Sequence, residues 1–284
     1  MIPRPAIFRN RLRHSGQRNG FTLIELILVV GIMVLMMGLL IPAFNPLNSA
    51  GNFTKGVYDI AGVLDEARTY AMANNTYVWV GVTEEDGSRP STTPYTSGTG
   101  RVVISVVASQ DGTRYSDSGA NPPAFGAGQS LNQVRLVAVA KLLKVNNVHL
   151  GTLNVGLNAN IPPRPTVPAA YQVGDPSFAD HSTGTAGENV PNTTTFTYPL
   201  TVAQITSNPQ YTFSKIIEFD PSGEASKIDE NTFSGPGPQP AMEFGLQPAN
   251  GSLVSPLYTG TSADRAGAAI QIEGISGKVR IFRS

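Results

Sequence analysis

The chain has 284 residues, of which 40% are hydrophobic and 14% charged, with 29 glycines, 22 prolines and no cysteine. The missing cysteine excludes disulfides, thiolate metal sites and cysteine nucleophiles, and the aliphatic and aromatic content excludes global disorder. Acids and bases balance at 20 each, yet five arginines (Arg4, Arg9, Arg11, Arg13 and Arg18) lie in the first 20 residues, where there is no acid. The remainder is therefore mildly acidic, which excludes a broad nucleic-acid footprint.

After that basic tail, Phe21 to Phe44 reads FTLIELILVVGIMVLMMGLLIPAF, with Glu25 its only charge. About 20 apolar residues in a helix span the roughly 30 Å hydrocarbon layer. The arginine-rich flank predicts a cytoplasmic N-terminus and an exported remainder. A secretory signal peptide has a shorter apolar region followed by a small-residue cleavage site. A plain membrane anchor fits the length but leaves Glu25 without a reason, since ionisable groups in such helices usually have a partner. A carboxylate snorkelling to the interface is the simpler version.

The run Gly20-Phe21-Thr22-Leu23-Ile24-Glu25-Leu26, behind a short basic leader, resembles the class III signal of type IV prepilins and pseudopilins. The resemblance implies that prepilin peptidase cuts between Gly20 and Phe21 and that the new N-terminal Phe21 is methylated. A glycine lets a peptidase approach the backbone closely, and a cut there keeps the apolar helix on the product. It also implies that Glu25 attracts the terminal amine of a neighbouring subunit. Opposite charges attract weakly in water and more strongly where the effective dielectric is lower, so Glu25 would set the stagger of assembled helices. Pro42 matches a proline common in that family, where it kinks or locally melts the helix. Alternatively, Pro42 and Pro46 simply end the membrane helix.

From about Thr54 to Asn74, Val57, Ile60, Ala61, Leu64, Ala67, Ala71 and Met72 recur at helical steps, with Asp59, Asp65, Glu66 and Arg68 between them. Asn74-Asn75 is a helix stop. Thr76–Thr83 and Arg101–Ala108 read as strands, Val134–Leu143 as strand or helix, and Tyr211–Asp220 as a strand before the turn Pro221-Ser222-Gly223. Ala269–Glu273 and Lys278–Phe282 flank a Gly-Ile-Ser-Gly turn and predict a hairpin. Residues 84–100, 109–130, 158–209 and 234–265 read as long loops.

Three of these blocks resemble minor pseudopilins and pilins of the GspH/FimT type: Leu64-Asp65-Glu66-Ala67-Arg68-Thr69-Tyr70-Ala71, then Ile217-Glu218-Phe219-Asp220-Pro221-Ser222-Gly223, then the final strand pair. The fold so implied is α+β and pilin-like: a long N-terminal helix, its first half transmembrane, packed on an antiparallel β-sheet head with long loops. The domain boundaries are a cleaved leader 1–20, a hydrophobic assembly helix 21–44, its amphipathic continuation 45–75, and a β-rich head 76–284. The expected location is the inner membrane, single-pass, with the head periplasmic before incorporation into a filament.

No motif of a hydrolase, metalloprotease or nucleotide-binding loop occurs, so no enzyme, cofactor or catalytic residue is expected. His14, His149 and His181 are scattered. Asp220, Glu224, Asp229 and Glu230 lack the spacing of a calcium loop and read as a solvated turn. Lys278 and Arg280 alternate onto one strand face, with Arg283 beyond them. Some FimT-like pilins bind DNA through such a stretch, by neutralising phosphate; edge-strand cations also block aggregation. The function expected is a structural subunit of a type II secretion or type IV pilus-like filament, with prepilin peptidase, other pseudopilins or pilins and the inner membrane as partners. The alternatives are a minor pilin that takes up DNA and an anchored adhesin or ligand-binding module.

Overall fold

The computed structural model describes residues 22–114, 131, 133–153, 164–178, 180–182, 189–191, 195–200, 208–228, 241–254 and 267–283. Within these, the side chains of residues 38–50, 180–182 and 189–191 are not described. The chain divides into two units, Met1–Asn45 and Pro46–Ser284.

Helix α1 is Leu23–Asn74. It ends where the sequence stops offering helix formers: Asn75 takes a left-handed φ of 49°, tolerable for asparagine. The N–H of Thr76 then donates to the Ala71 carbonyl at 3.0 Å, the bond of a Schellman cap. In the second unit most of the spaced apolar side chains are buried, namely Phe53, Val57, Ile60, Ala61, Leu64, Ala67 and Ala71, while Asp65 and Glu66 face outward; Met72, expected on the same stripe, is exposed instead. The helix runs through Pro42 and Pro46, so neither proline ends it.

The strands, in chain order, are β1 (Val78–Asp86), β2 (Gly100–Ser109), β3 (Leu136–Ala138), β4 (Leu143–Asn146), β5 (Val148–Gly151), β6 (Asp180–Ser182), β7 (Asn189–Pro191) and β8 (Phe196–Tyr198). After them come β9 (Tyr211–Phe213), β10 (Lys215–Phe219), β11 (Ala225–Lys227), β12 (Met242–Asn250), β13 (Leu253–Val254), β14 (Ala268–Ile272) and β15 (Val279–Arg283). A six-stranded sheet has the order β11-β10-β1-β2-β3, with β4 also on β2; a five-stranded sheet has β13-β12-β14-β15, with β5 on β12. Two hairpins, β6-β7 and β8-β9, stand apart. The pairings between these strands are antiparallel.

The expectation of a pilin-like α+β fold, one long helix packed on one sheet, is corrected here. Among the described residues antiparallel β predominates, in two sheets and two separate hairpins, and the described side chains of α1 are buried from Phe53 onward, whereas Leu23–Met37 are exposed on every face. The reason lies in β1 and β2, whose apolar residues are buried on both faces. Val78, Val80, Val82, Val102 and Ile104 join one core with α1 and the inner face of the five-stranded sheet. Trp79, Val103 and Val107 join a second core with Phe196, Tyr211, Phe213 and Ile216. A strand buried on both faces reads as a continuous apolar run, which is what VWVGV and VVISVVA are. Such runs need covering layers on both sides, and a single helix supplies one.

No helix among the described residues is long and apolar enough to cross a membrane. This corrects the expectation of a single-pass inner-membrane protein with a periplasmic head, and it has no bearing on strands that cross membranes.

Other expectations fare unevenly. Tyr211–Asp220 is two strands, β9 and β10, and Val134–Leu143 divides into a 3-10 turn at Gln133–Arg135, β3 and the start of β4. The loop expected over 234–265 contains β12, the central strand of the five-stranded sheet. Strand β12 carries Gly245 and Pro248, and these hid it.

Candidate functional site

Glu25 sits three residues into α1, and its surroundings show what the start of the helix needs. Its Oε2 accepts from the Thr22 N–H at 2.9 Å and from the Thr22 hydroxyl at 2.8 Å, while the Glu25 N–H donates to Thr22 Oγ1 at 3.3 Å. The Thr22 carbonyl accepts the first helical bond, from Leu26 N–H at 3.2 Å. This is a capping box, in which an N-cap threonine and the residue three later satisfy each other's otherwise orphaned backbone donors. Its signature, Thr-x-x-Glu, stands in the sequence at Thr22–Glu25, and it explains the carboxylate without any partner outside the chain. The cleavage pair Gly20 and Phe21 lies outside the described residues, as does the leader. Pro42 lies inside α1 with its side chain not described.

Beyond Glu25 the helix presents an apolar surface all round. Leu23 and Ile24 are 77% and 75% exposed, and Leu26, Leu28, Ile32, Leu35 and Met37 each exceed half. At 100° per residue, the exposed apolar positions from Leu23 to Met37 leave no polar stripe. An amphipathic helix covers one face against its own core; this segment has no face prepared for water. Exposed apolar surface on that scale marks an interaction site.

The basic residues at the other end of the sequence do not converge. Lys278 and Arg280 are exposed on one face of the strand; Arg280 Nη2 lies 3.9 Å from Glu273 Oε2. Arg283 falls on the opposite face and donates to Thr54 Oγ1 of α1 at 2.9 Å. The acidic turn is self-contained: Asp220 Oδ1 accepts from the N–H and hydroxyl of Ser222 and from the Glu224 N–H. Asp229 and Glu230 lie outside the described residues. His14 does too, and the side chain of His181 is not described. His149 Nδ1 lies 2.9 Å from Glu84 Oε1, joining β5 of one sheet to β1 of the other.

The three sequence blocks named for the GspH/FimT type meet at one place. Arg68 of α1 donates from Nε to the Ser276 carbonyl at 2.7 Å. Gly223 (φ 87°) and Gly277 (φ 60°) both take left-handed backbone conformations there. A Cβ on Gly223 would meet Met72 Sδ at 2.6 Å, and one on Gly277 would overlap the Gly223 carbonyl oxygen, with Arg68 Cδ at 3.0 Å behind it. Ala225 N–H donates to the Gly274 carbonyl at 2.7 Å, which ties β11 to the β14-β15 turn. The glycines are there because two turns and an arginine pass within contact distance.

Two buried polar clusters carried no signal in the sequence. Glu243, 0% exposed, accepts from Arg164 Nε at 2.7 Å and Nη2 at 2.8 Å and from Gln271 Nε2 at 2.7 Å. Glu85, 1% exposed, receives Ser91 Oγ at 2.7 Å, Arg101 Nη1 at 3.0 Å and Tyr211 OH at 3.0 Å. Burial pushes the Glu85 carboxyl up, but the hydrogen bonds from Ser91, Arg101 and Tyr211 and the Arg101 charge outweigh it and hold the group below the ordinary glutamate value. Arg164 and Glu243 are 79 positions apart and Tyr211 is 126 from Glu85, so no spacing rule finds these pairs. A cavity of about 530 Å³ at the end of α1 has, among the described residues, Tyr70 and Asp111 as its titratable lining groups. Asp111 Oδ1 already accepts from Ser109 and Thr113. Among the described residues no three histidine, cysteine or carboxylate side chains gather as a metal site.

No known protein family, no characterised protein and no solved structure matches the chain.

Proposed function

We propose that this chain is a structural subunit, a minor pseudopilin or pilin-like component, of a type II secretion or type IV pilus-like filament. The observation that supports it most is the all-round exposure of Leu23–Met37. A single partner helix or groove covers one stripe of such a segment and leaves the rest in water; several apolar helices around it cover the whole. Helices of like subunits, each with the same composition, supply that surround. On this reading prepilin peptidase cuts between Gly20 and Phe21, Phe21 is methylated, and the work is mechanical, with no catalytic step.

Glu25 then has two tasks in sequence. In the separate chain it closes the capping box with Thr22; in the filament its carboxylate faces the amine of a neighbouring Phe21, where exclusion of water strengthens the attraction. Mass spectrometry of the native protein tests the first requirement: the mature chain starts at Phe21 and carries one added methyl group. A chain that still begins at Met1 in assembled material overturns the reading. Glu25→Ala should leave cleavage intact and reduce incorporation into filaments; undiminished incorporation argues against the register role.

A further inference from the structure

Strand β15 ends the five-stranded sheet, paired on one side with β14. The Glu273 N–H donates to the Lys278 carbonyl at 3.0 Å. With the register Ile272↔Val279, Gln271↔Arg280 and Ile270↔Ile281, this places 278, 280 and 282 in hydrogen-bonded positions. Antiparallel pairing alternates, so the main-chain groups of Val279, Ile281 and Arg283 turn away from the sheet. Among the described residues no hydrogen bond reaches those groups. The strand has no proline and pairs with β14 without a bulge, devices that commonly blunt an edge.

The side chains along this edge choose between partners. Lys278 and Arg280 are exposed on one face, and among the described residues the carboxylate paired with them is Glu273, half exposed and 3.9 Å from Arg280. A second copy of β15 added antiparallel and centred between Val279 and Ile281 would set Arg280 against Arg280. Like charges directly opposite across strands destabilise the pair, so the edge disfavours its own kind in that register. A strand with carboxylates at alternate positions would place them on the same face as Lys278 and Arg280.

We propose that β15 is a strand-addition site for an extended acidic segment of a partner protein. Main-chain bonds from Val279, Ile281 and Arg283 supply affinity, and Lys278 and Arg280 supply selectivity, the division of labour of β-augmentation. The inference is independent of the assembly role of α1.

The test titrates the full chain with a short capped peptide alternating valine and glutamate, with its valine–lysine counterpart, and with a glutamate peptide N-methylated at alternate residues. Binding of the glutamate peptide alone is expected, weakened about tenfold or more by Lys278→Glu with Arg280→Glu, as for close charge pairs at interfaces. Both side chains are exposed, so the substitutions leave the core untouched. A second readout needs no variant: saturating peptide slows amide exchange at Val279, Ile281 and Arg283. Equal binding of the lysine or N-methylated peptide overturns the proposal. So does unchanged exchange at those three amides, or no binding by the parent chain, which would leave the cations only the task of keeping the edge unpaired.

Discussion

Replacing Arg164 with leucine removes two hydrogen bonds and the counter-charge of a carboxylate that has no solvent exposure. Glu243 would keep only the Gln271 amide at 2.7 Å. Breaking a buried pair on one side costs about 3–5 kcal/mol, because the surviving charge stays desolvated. Against a typical folding free energy of about 5–15 kcal/mol, that is a large share. For a unit of this size each kcal/mol lowers Tm by about 2–4 °C, so a fall of about 6–20 °C is expected. Glu243→Leu in the Arg164→Leu background should restore most of the loss. Gln271 keeps a partner there, since its amide also donates to the Pro165 carbonyl at 2.8 Å. Urea unfolding of the parent, both single variants and the double variant closes the cycle. A cost below about 1 kcal/mol for Arg164→Leu, or strict additivity of the two changes, refutes the reasoning.

Leu64→Ala and Leu28→Ala separate the two parts of α1: Leu64 is 0% and Leu28 62% exposed. The first should destabilise the second unit by about 2–5 kcal/mol; the second should leave its melting unchanged while weakening self-association, read by sedimentation. Gly277→Ala forces a side chain into a φ of 60° and against the Gly223 carbonyl oxygen, at a cost of at least about 1–3 kcal/mol in chemical denaturation. The Glu85 carboxyl lies below its unfolded value, so its contribution is full above about pH 4.3 and is lost as pH falls through the folded value. Glu85→Gln should flatten that part of a Tm-against-pH curve between about pH 3 and 7.

Local chemistry was legible without the fold. The steps of Val57, Ile60, Leu64, Ala67 and Ala71 gave a helix and its buried face; Asn74-Asn75 gave its end. The β-branched runs gave β1 and β2, and two apolar segments around a glycine-containing turn gave β14 and β15. Thr22-x-x-Glu25 was equally open to reading as a capping box, since both residues lie within one turn. Each of these features depends on neighbours a few residues away.

The rest depended on which distant surfaces meet. A run such as VVISVVA specifies a strand with two apolar faces, yet it does not name what covers them. The structure places one core against α1 and the second sheet, and the other against the β8-β9 hairpin. Arg164 and Glu243 are 79 positions apart, and nothing local makes either expect the other. Sequence alone fixed the helix period, the strand runs and an apolar segment with no polar face; only tertiary packing decided how many layers formed and which charges were buried together. Periodicity and capping act over one turn, whereas burial and ion pairing are settled by surfaces brought together from the whole chain.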